Sequence, residues 1–223
     1  MAVIFVTGID TGIGKSYATG LMARFLLRNG TSVITQKLAQ TGCEGMAEDI
    51  LTHRRLMAAE VNEDDRSGAT CRYVFSFPAS PHLAARIAGS TIILEDLDRD
   101  TAALAKRYSY VLIEGAGGLY APLTEHITQI EYAAGHRYPI VLVTAPRLGS
   151  ISHTYAALDI LSRLACDLKC LIYNLYHDAH PEIAADSRRL FMDRMADCGF
   201  RAPLIDIPPF SSVIPDIDFS CLL

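Results

Sequence analysis

The chain has 223 residues, half of them apolar and a fifth charged, with 20 Lys plus Arg against 25 Asp plus Glu and a net charge of −5. That composition excludes a disordered or collagen-like chain, and the acidic balance argues against nucleic acid as a partner, which calls for a basic face. A chain of this length buries roughly 70 % of its unfolded surface, so it folds without disulfide staples. Its six cysteines, Cys43, Cys71, Cys166, Cys170, Cys198 and Cys221, form no CxxC pair. They read as reduced thiols in a cytoplasmic protein. The first residues, Met1 to Val6, are apolar but lack a basic segment, and Asp10 interrupts them, so no signal peptide is expected. No apolar run reaches about 18 residues, so no membrane span is expected either.

Ala2 to Thr7 reads as a strand buried on both faces. A Gly/Asp/Thr loop follows, then a helix over Lys15 to Asn29, with Ala18, Leu21, Met22 and Phe25 on one stripe and Gly30 as its stop. Thr31 to Gln36 predicts a second strand and Met46 to Glu60 a helix. Asn62 to Ser67 reads as a surface loop, and Arg72 to Phe77 as an edge strand broken by Pro78 and Pro81. Ile92 to Arg107 predicts a helix and Tyr110 to Ile113 a strand that ends in a Gly-rich turn. Ile140 to Thr144, Leu168 to Tyr173 and Leu204 to Ile207 are further strands. They alternate with helices over Ser152 to Leu164 and Pro181 to Cys198. Alternation of this kind predicts one α/β domain over 1–223, with a mostly parallel sheet covered on both faces. Ligands bind such sheets at the carboxyl ends of the strands. The polar loops at 8–16, 37–49, 114–118, 146–153 and 174–180 all follow strands, so they are expected at that one edge.

Gly8-Ile9-Asp10-Thr11-Gly12-Ile13-Gly14-Lys15-Ser16 joins the first strand to the first helix. Glycines let backbone N–H groups approach phosphate oxygens, and the helix N-terminus adds partial positive charge. Lys15 meets the terminal phosphates, and the Ser16 hydroxyl suits Mg²⁺. The pattern is a phosphate loop with one residue more than the common form. Thr11, inside it, can touch the γ-phosphate or close a local turn. Glu114 ends an apolar strand, where a carboxylate must find a partner. It reads as a Mg²⁺ ligand facing Ser16, or as a loop hydrogen-bond acceptor. Asp49 sits among Glu44, Glu48 and Arg54, so a metal ligand and a solvated helix face are both open. Lys37 closes the second strand with no acid nearby in sequence, which predicts that ligand, not a protein salt bridge, holds it. Gly115, Gly117 and Gly118 suggest backbone close to a ligand, or a plain turn. His82 and His153 are weak candidates for catalysis, and Cys43 lies near Thr41. No spaced His/Cys cluster suggests zinc.

The longer loop resembles that of the dethiobiotin synthetase family, and the likeness continues in order over about residues 3–210. Lys37 with Thr41-Gly42, Asp49, Ser80-Pro81-His82, Glu114-Gly115-Ala116-Gly117-Gly118, Leu148-Gly149 with His153, Asn174 and Ile207-Pro208 all fall on family motifs. Leu38 stands where the family has Pro, and Ser152 where it has Asn. The stretch after Asn174 departs from the family, the helix after it does not align residue by residue, and the tail Ser211 to Leu223 has no counterpart.

The resemblance implies a phosphate-loop NTPase-like fold, a homodimer, and a reaction of ATP, CO₂ and 7,8-diaminopelargonate. It implies Lys37, Lys15 and Thr11 as catalytic groups. It implies Gly12, Ile13, Gly14, Lys15, Ser16, Tyr17, Glu114, Gly117, Asn174 and Pro208 around ATP, with Asn174 reading adenine. Lys37, Thr41, Ser80, Gly117, Gly118, Ser150, Ile151 and Ser152 would hold substrate, the last three through its carboxylate. Ser16, Asp49 and Glu114 would hold Mg²⁺. Two alternatives are an amidation enzyme of the cobyrinic-acid type, which needs a second domain, and a partition-type nucleotide switch, which wants a Lys-Gly-Gly loop that is absent.

Overall fold

The computed structural model describes residues 1–176, 180–209 and 213–223. The loop expected at 174–180 and the tail from Ser211 therefore lie partly outside the described residues. Six strands form one parallel sheet: β1 (Ala2–Gly8), β2 (Val33–Lys37), β5 (Tyr110–Glu114), β6 (Ile140–Thr144), β7 (Leu168–Asn174) and β8 (Leu204–Ile207). Their order is β2-β5-β1-β6-β7-β8. The chain steps from β1 to one side, returns through β5, and leaves β6 toward the other side. This reversal puts the end of β1 at the crevice where ligands bind in open α/β sheets.

Side chains alternate across each strand, so even an unbroken apolar run divides between two cores. Ile4, Val6, Leu112, Val141 and Val143 face α1 (Lys15–Arg28) and α2 (Glu48–Met57). Phe219 and Leu222, at the C-terminal 3₁₀ turn, join that side. Phe5, Ile34, Val111, Ile113 and Leu142 face α5 (Leu94–Ala105), α7 (Ser150–Arg163) and α8 (Pro181–Asp197). All six cysteines are free thiols. Among the described residues no helix is long and apolar enough to cross a membrane.

Four parts of the expected layout need correction. Asn62 to Ser67 is not a plain loop. It holds α3 (Glu63–Arg66), whose first turn is closed by a reciprocal Asn62–Asp65 capping box. Asp65 is buried there because the Arg54 guanidinium binds it twice, at 2.8 and 2.7 Å. The segment after Arg72 forms only β4 (Val74–Phe75), which pairs with β3 (Gln40–Thr41) in a separate two-stranded sheet. Helix α4 (Pro81–Ile87) starts where a break was expected, because proline suits a first helical turn. Helix α6 (Gln129–Gly135) was not expected, although Thr128 and Glu131 form a capping box. Elsewhere the ends shift by a few residues: β2 runs on through Lys37, and α7 begins at Ser150.

α1 and α2 cross closely at Gly20. A Cβ added there would stand 2.6 Å from Leu56 Cδ1 and 2.8 Å from its Cβ. Arg54, also on α2, reaches back to Thr35 of β2 at 2.8 Å. Gly20→Val should push α2 off α1. Overpacking of this kind costs about 1–3 kcal/mol, and each kcal/mol lowers Tm by about 2–4 °C at this size. Differential scanning calorimetry checks it; an unchanged Tm would mean that the crossing tolerates a side chain.

Candidate active site

Strand register sets the first contact. Lys37 and Glu114 are direct partners across the β2–β5 ladder, at the carboxyl ends of both strands. Lys37 shares its face with Val33, and Glu114 shares its face with Leu112, so both side chains leave toward α1 and α2. There the Lys37 ammonium meets Glu114 Oε1 at 2.8 Å, Asp49 Oδ2 at 2.6 Å and the Gly115 carbonyl at 2.9 Å. The expectation that Lys37 lacks a protein salt bridge is therefore wrong. Its acids are distant in sequence, and the fold brings them in.

Ser16 opens α1, and its hydroxyl lies 2.8 Å from Asp49 Oδ1 and 2.9 Å from Glu114 Oε1. Asp49, in the first turn of α2, takes a second anchor: its backbone N–H donates to Gln40 Oε1 at 3.3 Å. Ser16, Asp49 and Glu114 thus converge as expected. Burial alone would raise the Glu114 pKa, but the Lys37 charge and the His53 hydrogen bond hold it well below the carboxylate range. Burial also disfavours the Lys37 charge, yet Glu114 and Asp49 raise its pKa above the ordinary lysine value. Among the described residues Lys15 has no such carboxylate contact; its ammonium donates to the Asp10 carbonyl at 2.9 Å. Burial, then the like charge of Lys37, push its pKa down to about 8.

These groups wall a cleft of about 350 Å³ with Thr11, Gly12, Gly14, Thr41 and Gly117. Gly14 has φ +96° at the start of α1, and a Cβ there would lie 2.1 Å from Asn174 Nδ2. Only glycine fits both demands. Asn174 is buried beneath the loop, where it donates to the Ile13 carbonyl at 3.0 Å and accepts from the Tyr176 N–H at 3.2 Å.

Other candidates lie apart from this cleft. Ile13 is buried under the loop, Tyr17 is half-buried on α1, and Pro208 is exposed after β8. Ser80 precedes α4 without a side-chain capping bond. Gly118 and His153 line a second groove, of about 370 Å³, beside Ile9 and Asp10. Ser150 is buried, with its N–H on the Arg147 carbonyl, while Ile151 and Ser152 are exposed at the start of α7. Cys43 donates its thiol to the Met46 carbonyl at 3.4 Å.

Three further residues support the site. Arg147 pairs with Asp10 of the phosphate loop. Gln129 is buried and bonds both backbone groups of Ala116, pinning the Gly-rich turn. His53 Nε2 lies 2.7 Å from Glu114 Oε2. Only Gln129 had a sequence signal, since it follows a capping threonine.

A family model described as an AAA domain matches residues 2–193. The chain is 48 % identical over 186 residues to an ATP-dependent dethiobiotin synthetase of Pasteurella multocida, covering 83 % of this chain and 87 % of that protein. It is 46 % identical to an ATP-dependent dethiobiotin synthetase of Chlorobaculum tepidum, covering 92 % of this chain and 86 % of that one. Among solved structures, the MinC:MinD cell division protein complex of Aquifex aeolicus matches with a TM-score of 0.54 at 17 % identity, over 100 % of this chain and 86 % of that chain. That likeness shows the fold, which is of the phosphate-loop NTPase kind.

Lys37→Met should expose the cost of a buried carboxylate, Glu114, and a half-buried one, Asp49, losing their cation. Breaking a buried pair typically costs about 3–5 kcal/mol, against about 0–1 kcal/mol for a surface pair. Thermal unfolding at neutral pH should show the larger loss. The double variant Lys37→Met/Glu114→Gln should recover part of it, because less uncompensated charge remains. A loss in the surface range would refute the network.

Proposed function

The chain belongs to the dethiobiotin synthetase family, and we propose that this cleft performs the family's reaction: ATP-dependent closure of a ureido ring on 7,8-diaminopelargonate, with CO₂ as the carbon source. The observation that carries the reading is the convergence of two buried lysines, a hydroxyl and two carboxylates at the phosphate loop. One substrate amine takes up CO₂ as a carbamate. A carbamate oxygen attacks the γ-phosphorus and ADP leaves. The second amine then attacks the carbonyl carbon and expels phosphate. Such phosphoryl transfer asks the protein for position and charge, not for a covalent intermediate.

The loop backbone from Gly12 to Tyr17, with Gly117, cradles the triphosphate. Lys15 exchanges the Asp10 carbonyl for phosphate oxygens, and Thr11 contacts the γ-phosphate. Lys37 stands where carbamate and phosphoryl group meet, and Thr41, four residues on, orients the amine. Asn174 and Pro208 bound the base, and Ser80 and Gly118 extend the substrate side. The helix N-terminus at Ser150, Ile151 and Ser152 takes the substrate carboxylate. A homodimer completes the site; the exposed apolar side chains of Tyr120, Leu148 and Ile151 support it. The reading takes residues 1–223 as one domain acting in the cytoplasm.

Ser16, Asp49 and Glu114 fit Mg²⁺, because their donors are all oxygens joined through one hydroxyl, and this ion takes one or two carboxylates plus phosphate oxygens. Bound there, it would neutralise charge on the β- and γ-phosphates. A partition-type switch is disfavoured by relatives at 42–48 % identity that are synthetases.

Phosphate release by the purified protein should require ATP, 7,8-diaminopelargonate and bicarbonate together, with labelled carbon appearing in the ring product. Hydrolysis indifferent to the diamine would overturn the proposal. Lys37→Arg keeps a charge but misplaces it, so it should slow single turnover at saturating diamine by less than the roughly hundredfold to thousandfold that outright loss of a preorganised group costs.

A further inference from the structure

His53 follows Asp49 by one helical turn on α2, so both side chains leave the same face of the helix. It is 0 % exposed. Its Nε2 lies 2.7 Å from Glu114 Oε2. An ionised carboxylate only accepts, so Nε2 carries the proton and donates. Nδ1 is buried with no hydrogen-bond partner among the described residues. Buried polar atoms usually find hydrogen-bond partners, and one that does not calls for an explanation. This histidine leaves a nitrogen unpaired and commits the other to a carboxylate at the cleft wall.

The two oxygens of Glu114 are thereby divided. Oε1 takes Ser16 and Lys37, and Oε2 takes His53. With Oε2 held from behind, the carboxylate cannot turn about its axis, and one oxygen alone is presented beside Ser16. We infer that His53 is a positioning residue that fixes Glu114 as a one-oxygen ligand for the divalent cation shared with the nucleotide phosphates. The inference rests on Ser16, Asp49 and Glu114 being that cation's donors, as proposed above. No motif in the sequence points to position 53.

The test measures the affinity of a fluorescent ATP analogue, first across a Mg²⁺ titration and then in EDTA. Wild type should bind more tightly with Mg²⁺, and Glu114→Gln should lose most of that gain; if either control fails, the proposed metal donors fail. Outer-shell partners of metal ligands are typically worth about tenfold to a hundredfold in metal affinity. His53→Leu and His53→Asn should raise the half-saturating Mg²⁺ concentration by that factor and leave the affinity in EDTA unchanged. His53→Gln, whose amide nitrogen reaches the Nε2 position, should stay close to wild type. If His53→Leu does not fold, the Asn and Gln pair decides. A role in packing alone would lower Tm without moving the Mg²⁺ midpoint. Wild-type midpoints in Leu and Asn, or an equal loss in all three variants, would overturn the inference while the Glu114→Gln control still stood.

Discussion

A carboxylate at the end of a central strand is the constraint around which this molecule is organised. Glu114 is 1 % exposed. A buried charge of this kind costs several kcal/mol unless it is paired and hydrogen-bonded. Three side chains supply that compensation: Lys37 from the next strand, Ser16 from α1 and His53 from α2. Each must arrive within hydrogen-bond range, so the strand register and both helix positions are tied to one functional group. The close crossing at Gly20 then sets α2 against α1, and Arg54 ties α2 to Thr35 of β2 and to Asp65 of α3.

Much of the frame was legible because it depends on local pattern. The apolar strands, the amphipathic α1 and the glycine loop each carry their signal within a short window, and the six parallel strands followed from alternation. What was missed depends on contacts between distant segments. α3 looked like solvated polar chain until Arg54 accounted for its buried aspartate. The strand after Arg72 shrank to two residues because its partner is the short β3, not the main sheet.

The site shows the same division. Ser16, Asp49 and Glu114 were expected together, and they meet. Lys37 was read as unpaired because its neighbours in sequence offer no acid, whereas the β2–β5 ladder sets Glu114 beside it. His53 had no signal at all, since a lone histidine within a helix says nothing about what it faces. Asn174, expected at the base, also supports the loop from beneath, where its amide donates to the Ile13 carbonyl. Ionic partners in a parallel sheet are set by register over long separations, which periodicity within one segment cannot report.

The position of β1 also bears on how the chain is made. Its two neighbours in the sheet begin at Tyr110 and Ile140. During synthesis the apolar Val3 to Val6 stretch leaves the ribosome well before either of these neighbours, with both hydrogen-bonding edges unfilled. Parallel pairings of such long separation form slowly, and unpaired apolar strands are prone to aggregate meanwhile. The phosphate loop, carried at the end of β1, cannot take shape before β5 and β6 arrive. β1 is thus made before both of its neighbours yet becomes ordered only with them.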